Sequence, residues 1–474
     1  MARMGQLLDV VTLITYDTKV LAISYLRNSD FAMISNPVRT LAAPFRPWMG
    51  FAARRNRPFQ VIAGSQAVLA AFATDALFVP FLLVLGANPA FVTFVGLLPV
   101  LGSAAQAFMP AALRRTDGNL RAITVVLTAA TETRGIWFAL VAAAVALHVV
   151  TDAVAIALVA LVVLVSCSGA LVAEATLFSW LAIVLPDGQR RELTPKMMGV
   201  TAGASALLLL PAGVVLGTVD ATTASWLYVA FFGFGFVASL PLVRTVARLP
   251  GPGRVTIPRA TAAPAPTPAL RSFVRSSTWN AVGVGMTPYF GVFAVAVLGM
   301  SPGFAVILSG VWALASLLTS AVLGAVLAQV SSARMLRAMY ALRGVGMLLC
   351  LAAFPGNGAA GAILVAAVTI SAVGYSGTVL AQTERLFRLT AGPALVSAQA
   401  SMTARNAVAF TTAGLVLSGA TVLADGIGFP AWAGMFVASA LPRFAAAHGT
   451  EVPTTWRLAQ APASAATAAT PIAA

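Results

Sequence analysis

Long apolar runs, each wide enough as a helix to cross a hydrocarbon core of about 30 Å, fill the chain and leave it one solvent, the bilayer. Twelve can be drawn, at about 61–85, 90–113, 122–147, 153–183, 197–219, 224–245, 277–299, 303–329, 335–354, 359–386, 397–423 and 427–446. They are continuous rather than alternating, which excludes a membrane β-barrel. With 59% hydrophobic and 9% charged residues, the chain lies far from the roughly 25% charged of a soluble domain. The expected fold class is an all-α integral membrane protein with twelve transmembrane helices in two six-helix, pseudo-symmetric bundles.

The symmetry rests on a stretch written twice. "LGANPAFVTF" at 85–94 returns as "LGMSPGFAVI" at 298–307, so Leu85, Gly86, Pro89 and Phe91 recur as Leu298, Gly299, Pro302 and Phe304. "LRA" at 120–122 returns at 336–338. Repeat-built transporters leave such weak internal echoes. Between the halves (61–245 and 277–446) lies a basic linker, 246–276, rich in proline and expected to be irregular or polyproline-like. Before them, residues 1–60 form an arm. In it Asp9, Thr12, Tyr16 and Lys19 oppose Leu7, Leu8, Val11, Ile14 and Leu21, the pattern of an amphipathic helix lying in the interface. The tail, 447–474, has little to bury and is expected to be disordered.

The net charge of +15 has a topological cause. Of the 29 Lys and Arg residues, 26 fall in, or within four residues of, the arm, the loops after the second, fourth, sixth, eighth and tenth spans, or the end of the chain. The loops after the odd-numbered spans carry none. By the positive-inside rule both termini are cytoplasmic, which places the chain in a cell membrane, of bacterial plasma or inner membrane type, and gives no reason to invoke nucleic acid.

Six spans, a basic linker and six more resemble the major facilitator superfamily over about residues 55–446. The most specific piece is "WLAIVLPDGQRR" at 180–191, where Trp180, Pro186 and Arg190 match the loop between the fourth and fifth helices of many such transporters. "PAALRRTDGNLR" at 110–121 is similar to the loop after the family's second helix. It keeps Gly118, but Pro110 replaces the first glycine and Arg114 the acid, marking a divergent branch. The resemblance implies that the first, fourth, seventh and tenth helices line a central cavity. It also implies gating roles for Arg114, Arg115 and Arg190 at the cytoplasmic side, with Glu384 and Arg385 at the end of the tenth span either gating or snorkelling to the interface.

Ionisable groups at membrane depth are costly and mark function by default. Asp75 lies 15 residues beyond Gln60, roughly 22 Å at 1.5 Å per residue, near the midplane. A carboxylate there can bind a cation or carry a proton. Glu174, on the fourth span, is the second coupling candidate. Glu132 and Arg134 on the third span are two residues apart and cannot share a helix face, so each needs its own partner on another helix. An Asp75–Arg134 pair is one option, a purely structural pairing the other. Arg343 and Arg405 lie about two turns from the cytoplasmic ends of their spans and are expected to snorkel. Trp279, Tyr289, Trp312, Tyr375 and Trp432 are candidates for stacking on a solute or for core and belt roles.

Nothing suggests an enzyme, a cofactor or a metal. His148 and His448 stand alone, Cys167 and Cys350 sit inside apolar spans, and neither Lys19 nor Lys196 follows a glycine-rich loop. The expected function is secondary active transport of a small solute by alternating access, coupled to a proton or cation gradient. The rival is a transporter-shaped scaffold that binds a lipid or, through the arm, a partner protein.

Overall fold

The duplicated stretch folds the same way twice. Gly86 closes the first span in the left-handed region at φ 75°, and Gly299 does so for the seventh at φ 67°. A side chain at a β-carbon would strain either turn, which is why glycine holds both places. Asn88 then accepts from the Ala90 N–H at 2.8 Å and Ser301 from the Phe304 N–H at 3.3 Å. Pro89 and Pro302 follow as first helical residues, where a missing N–H costs nothing. Each repeat therefore writes the same stop and the same start.

The computed structural model describes residues 56–185, 187–249, 267–284, 289–326, 330–390, 393–424 and 428–450. The expected interfacial helix of the arm, the proline-rich centre of the linker, Pro186 and the far tail lie outside them. Among the described residues nine helices are long and apolar enough to cross a membrane: Arg57–Val84, Pro89–Arg115, Leu120–Ala146, Asp152–Leu181, Leu193–Thr218, Thr222–Arg248, Pro302–Leu323, Ser332–Ala352 and Ala360–Leu389. The other three expected spans are helical too, at Pro268–Val284 with Tyr289–Val292, at Pro393–Ala424 and at Phe429–His448. The chain is a multi-pass membrane protein whose twelve helices pack as two bundles of six.

Within the first bundle the first span packs on the fifth and sixth, and the third packs on the sixth. Small residues permit the close approach: the Thr201 and Ser205 hydroxyls of the fifth span donate to the Ala63 and Ala67 carbonyls of the first, at 3.1 and 2.9 Å. An aromatic group formed by Phe78, Phe81, Phe138, Tyr228 and Phe232, with ring centroids 4.9 to 6.0 Å apart, grips the later half of the first span. In the second bundle Phe293 is gripped in the same way by Phe429, Trp432 and Phe436.

Two seams join the bundles, the fifth span against the eighth and the second against the eleventh. Under the six-plus-six repeat these seams are images of each other. The first is made of glycine: a β-carbon at Gly303 would collide with the backbone of Gly213 and Gly217, and one at Gly213 would lie 2.8 Å from the Gly303 carbonyl oxygen. In the second, Leu97 fills the space that Gly414 leaves open.

Several spans are broken rather than straight. The first stops at Phe72 and restarts at Asp75, with Ala73 and Thr74 extended or irregular between them. The third is interrupted at Thr133, and the fourth carries a π-helical turn over Val163–Cys167. The twelve continuous runs read from hydropathy do not show these joints, because hydropathy sums side chains and a break costs only backbone bonds.

Candidate functional site

The site is built on the break in the first span. The Thr74 hydroxyl turns back to the Ala70 carbonyl at 2.6 Å and so does not cap the helix that begins at Asp75. The restarted helix leaves its first N–H groups without helical partners, and the Asp75 carboxylate lies against those of Asp75 and Ala76. A half-helix N-terminus at membrane depth thus sits directly beneath a carboxylate.

Asp75 is solvent-exposed, whereas every residue from Ala76 to Leu82 is buried. Seven consecutive buried positions occupy all faces of a helix, so protein surrounds this segment. The exposure of Asp75 is therefore toward an internal cleft. Glu174 and Tyr375 show the same signature, exposed side chains among buried neighbours on the fourth and tenth spans, with Tyr375 39% exposed. Both carboxylates, and the Arg343 guanidinium, lie in electrostatic range of the Tyr375 hydroxyl. Trp312 of the eighth span stands beside Tyr375, their ring centroids 5.5 Å apart.

The sequence candidates divide around this cleft. Arg134 is buried, and its Nε donates to the Ala73 carbonyl at 3.0 Å, taking one of the bonds that the break in the first span sets loose. It lies in electrostatic range of Glu174 and Glu132. The Asp75–Arg134 ion pair is not formed; the backbone of the break takes the place of the carboxylate. The π turn of the fourth span brings the Cys167 thiol toward the same carbonyl, at 3.9 Å. Glu132 faces away from the cleft. It accepts from the Val243 N–H at 3.2 Å, in the first turn of the helix Pro241–Arg248, and so secures the joint at Leu240 in the sixth span.

The gating candidates lie apart from it. Arg114 and Arg115 are exposed at the end of the helix Met109–Arg115 and bond to no other described residue. Arg190 belongs to the first turn of the helix Asp187–Thr218. Glu384 pairs with Arg388 one turn on, at 2.7 Å, and Arg385 lies in electrostatic range of Tyr340. Trp180 is buried beneath Arg121, whose guanidinium stands 6.0 Å over the ring and donates to the Ala247 carbonyl.

Arg343 corrects the expectation of snorkelling. It is 1% exposed, donates from Nη1 to Asn280 Oδ1 at 3.1 Å, and stacks 5.3 Å from the centre of the Tyr375 ring. Gly374 makes this possible, since a β-carbon there would occupy the Arg343 side chain's path. Arg443, counted above among the charges at the chain's end, is also fully buried and donates to the Arg343 carbonyl at 3.1 Å. Nearer the basic face a polar layer crosses the second bundle. Gln382 donates to Tyr340 and Ser277 at 2.8 and 3.1 Å, and Asn406 donates to Ser277 at 2.8 Å. The readable signal for these residues is the row Ser276, Ser277, Thr278 and Asn280 at the start of the seventh span.

No family model matches the chain, and no curated protein matches it. Solved structures do. The chain is similar to a bacterial homologue of the iron transporter ferroportin in the inward-facing state, at TM-score 0.57 and 15% identity, over 84% of this chain and 98% of that one. It is similar to a D-xylose–proton symporter at TM-score 0.59 and 14% identity, over 83% and 98%. A transporter of the major facilitator superfamily, FucP, in the outward conformation, gives 0.54 and 13% over 84% and 99%. The chain has the major facilitator superfamily fold.

Proposed function

We propose that the protein is a secondary transporter that moves a small solute through the central cleft by alternating access, with Asp75 as the coupling group. The observation that carries this reading is the exposure of Asp75 inside a segment that protein otherwise surrounds. A carboxylate at a half-helix N-terminus, open to a cleft between two pseudo-symmetric bundles, can take up and release a proton or a cation as the cleft opens to either side. Glu174, on the fourth span of the same bundle and in range of Arg134, is the second group able to hold that charge. The solute is bound between Asp75 and Glu174 on one bundle and Tyr375, Trp312 and Arg343 on the other. Binding to both halves is what lets a solute bias their relative position.

Orientation follows the charge: the loops after the even-numbered spans face the cytoplasm, and both termini with them. The experiment is a thermal-shift screen of sugars, nucleosides, organic acids and metal ions on the purified protein, followed by uptake of each stabilising solute into proteoliposomes. Uptake driven by an imposed proton or cation gradient supports the reading. A stabilising ligand that never crosses the membrane leaves the scaffold reading in its place.

A further inference from the structure

We propose that Arg343 is an anion site, and that the group it takes is an oxyanion, a carboxylate or phosphate. The argument begins with a comparison of the two halves. Arg134 on the third span and Arg343 on the ninth occupy matching helices, and each reaches inward to the first helix of its own bundle, to Ala73 and to Asn280. Their surroundings differ in one respect. Arg134 has Glu174 and Glu132 in electrostatic range. Arg343 has only the Tyr375 and Tyr340 hydroxyls, and a second buried cation, Arg443, beside it.

The deficit is written into the composition. Residues 277–446 contain seven arginines and two acids, Glu384 and Asp425. Glu384 is taken by Arg388, and Asp425 lies outside the described residues. Among the described residues the Arg343 Nε and Nη2 groups are buried with no hydrogen-bond acceptor. A guanidinium so placed is costly unless an anion shares the site. Nε and Nη2 form one edge of the guanidinium plane, the edge that matches the two oxygens of a carboxylate or phosphate. Tyr375, stacked on the same guanidinium and exposed to the cleft, stands at the way in. Either a small soluble solute or an anionic lipid headgroup could supply the oxyanion.

This inference rests on the transport reading only in calling the anion a cargo, so its test measures binding. The full-length protein in detergent is titrated with sodium benzoate and with sodium phosphate against sodium chloride at matched ionic strength, following thermal stability and tryptophan fluorescence. Saturable stabilisation is expected in at least one series, with a fluorescence change that Trp312→Phe removes. Arg343→Gln should weaken the apparent affinity tenfold or more, and Arg134→Gln should not. Should Arg343→Gln fail to fold, the Trp312 signal in the wild type still decides. Repeating the titration in nanodiscs of phosphatidylcholine, with and without phosphatidylglycerol, separates the sources. Competition by the anionic lipid assigns the site to a headgroup, and its absence assigns it to a soluble solute. The proposal is overturned if neither probe binds saturably to the wild type, or if Arg343→Gln binds as the wild type does. Probe binding without any transport would sink the transport reading and leave the anion site standing.

Discussion

The Arg134 guanidinium and the Ala73 carbonyl meet at 3.0 Å, a side chain of the third span holding open the backbone of the first. Arg134→Gln would leave that carbonyl buried without its charged donor and remove the cation nearest Glu174. The expected loss of stability is about 1–3 kcal/mol, the usual penalty for an orphaned buried acceptor. A melting curve in detergent measures it, and an unchanged midpoint would show that the break holds itself.

Asp75→Asn keeps the shape of the side chain and removes its charge and its titration. Gradient-driven accumulation in proteoliposomes should collapse while binding or passive exchange of the solute survives. Glu174→Gln is the control on the opposite helix: if it alone abolishes coupling, the group that carries the ion is on the fourth span. The assignment would be falsified by accumulation at the wild-type level in Asp75→Asn.

The glycine seam between the fifth and eighth spans discriminates between two small changes. Gly303→Ala drives a methyl into the Gly213 and Gly217 backbone, which cannot move aside, and should cost about 1–3 kcal/mol. Gly203→Ala, on the same seam, meets only the end of the Leu317 side chain at 3.2 Å and should melt close to the wild type. Equal effects would mean that the backbones are not in contact.

Outside the spans, Asp220 caps the sixth helix. It accepts from the Thr223 hydroxyl at 2.7 Å and from the Thr223 and Thr222 N–H groups at 3.1 and 3.0 Å. These bonds, the Thr223 hydroxyl first, hold its carboxyl below the usual carboxylate range. A lowered value means that the cap is fully present above the unfolded pKa of about 4 and is lost as the pH falls through the folded one. Amide exchange at Thr222 and Thr223, corrected for intrinsic rates, should rise on acidification and, at pH 7, in Asp220→Ala. Exchange indifferent to both would remove the cap from the account.

Topology has a direct check. A single cysteine placed at Asp220 should react with an impermeant maleimide from outside intact cells, and one at Arg115 only after the membrane is opened. Labelling of position 115 from outside would reverse the orientation.

Much of the architecture was legible because membrane helices announce themselves by length and hydropathy. The repeated turn was legible because Gly86 and Gly299 have no substitute at positive φ. Asp75 and Glu174 stood out as acids in apolar runs, and both are exposed residues of otherwise largely covered helices. What escaped was everything decided by direction rather than depth. Arg343 and Arg134 lie on matching helices, and only packing shows that both point inward. Glu132 accepts from the Val243 N–H, a backbone partner that no side-chain pattern encodes. The break at Ala73 has no proline to mark it; Pro80, the residue that would draw suspicion, lies within an unbroken helix.

The glycine seam has a mechanical consequence. Where Gly303 lies on Gly213 and Gly217 the two helices touch through bare backbone, with no side chain between them. Elsewhere on the same seam side chains do interlock, Leu210 filling the notch at Gly310 and Leu317 lying over Gly203, and on the matching seam Leu97 fills the notch at Gly414. Turning one bundle against the other would therefore slide backbone on backbone at Gly303 while lifting a leucine from a glycine notch on each seam.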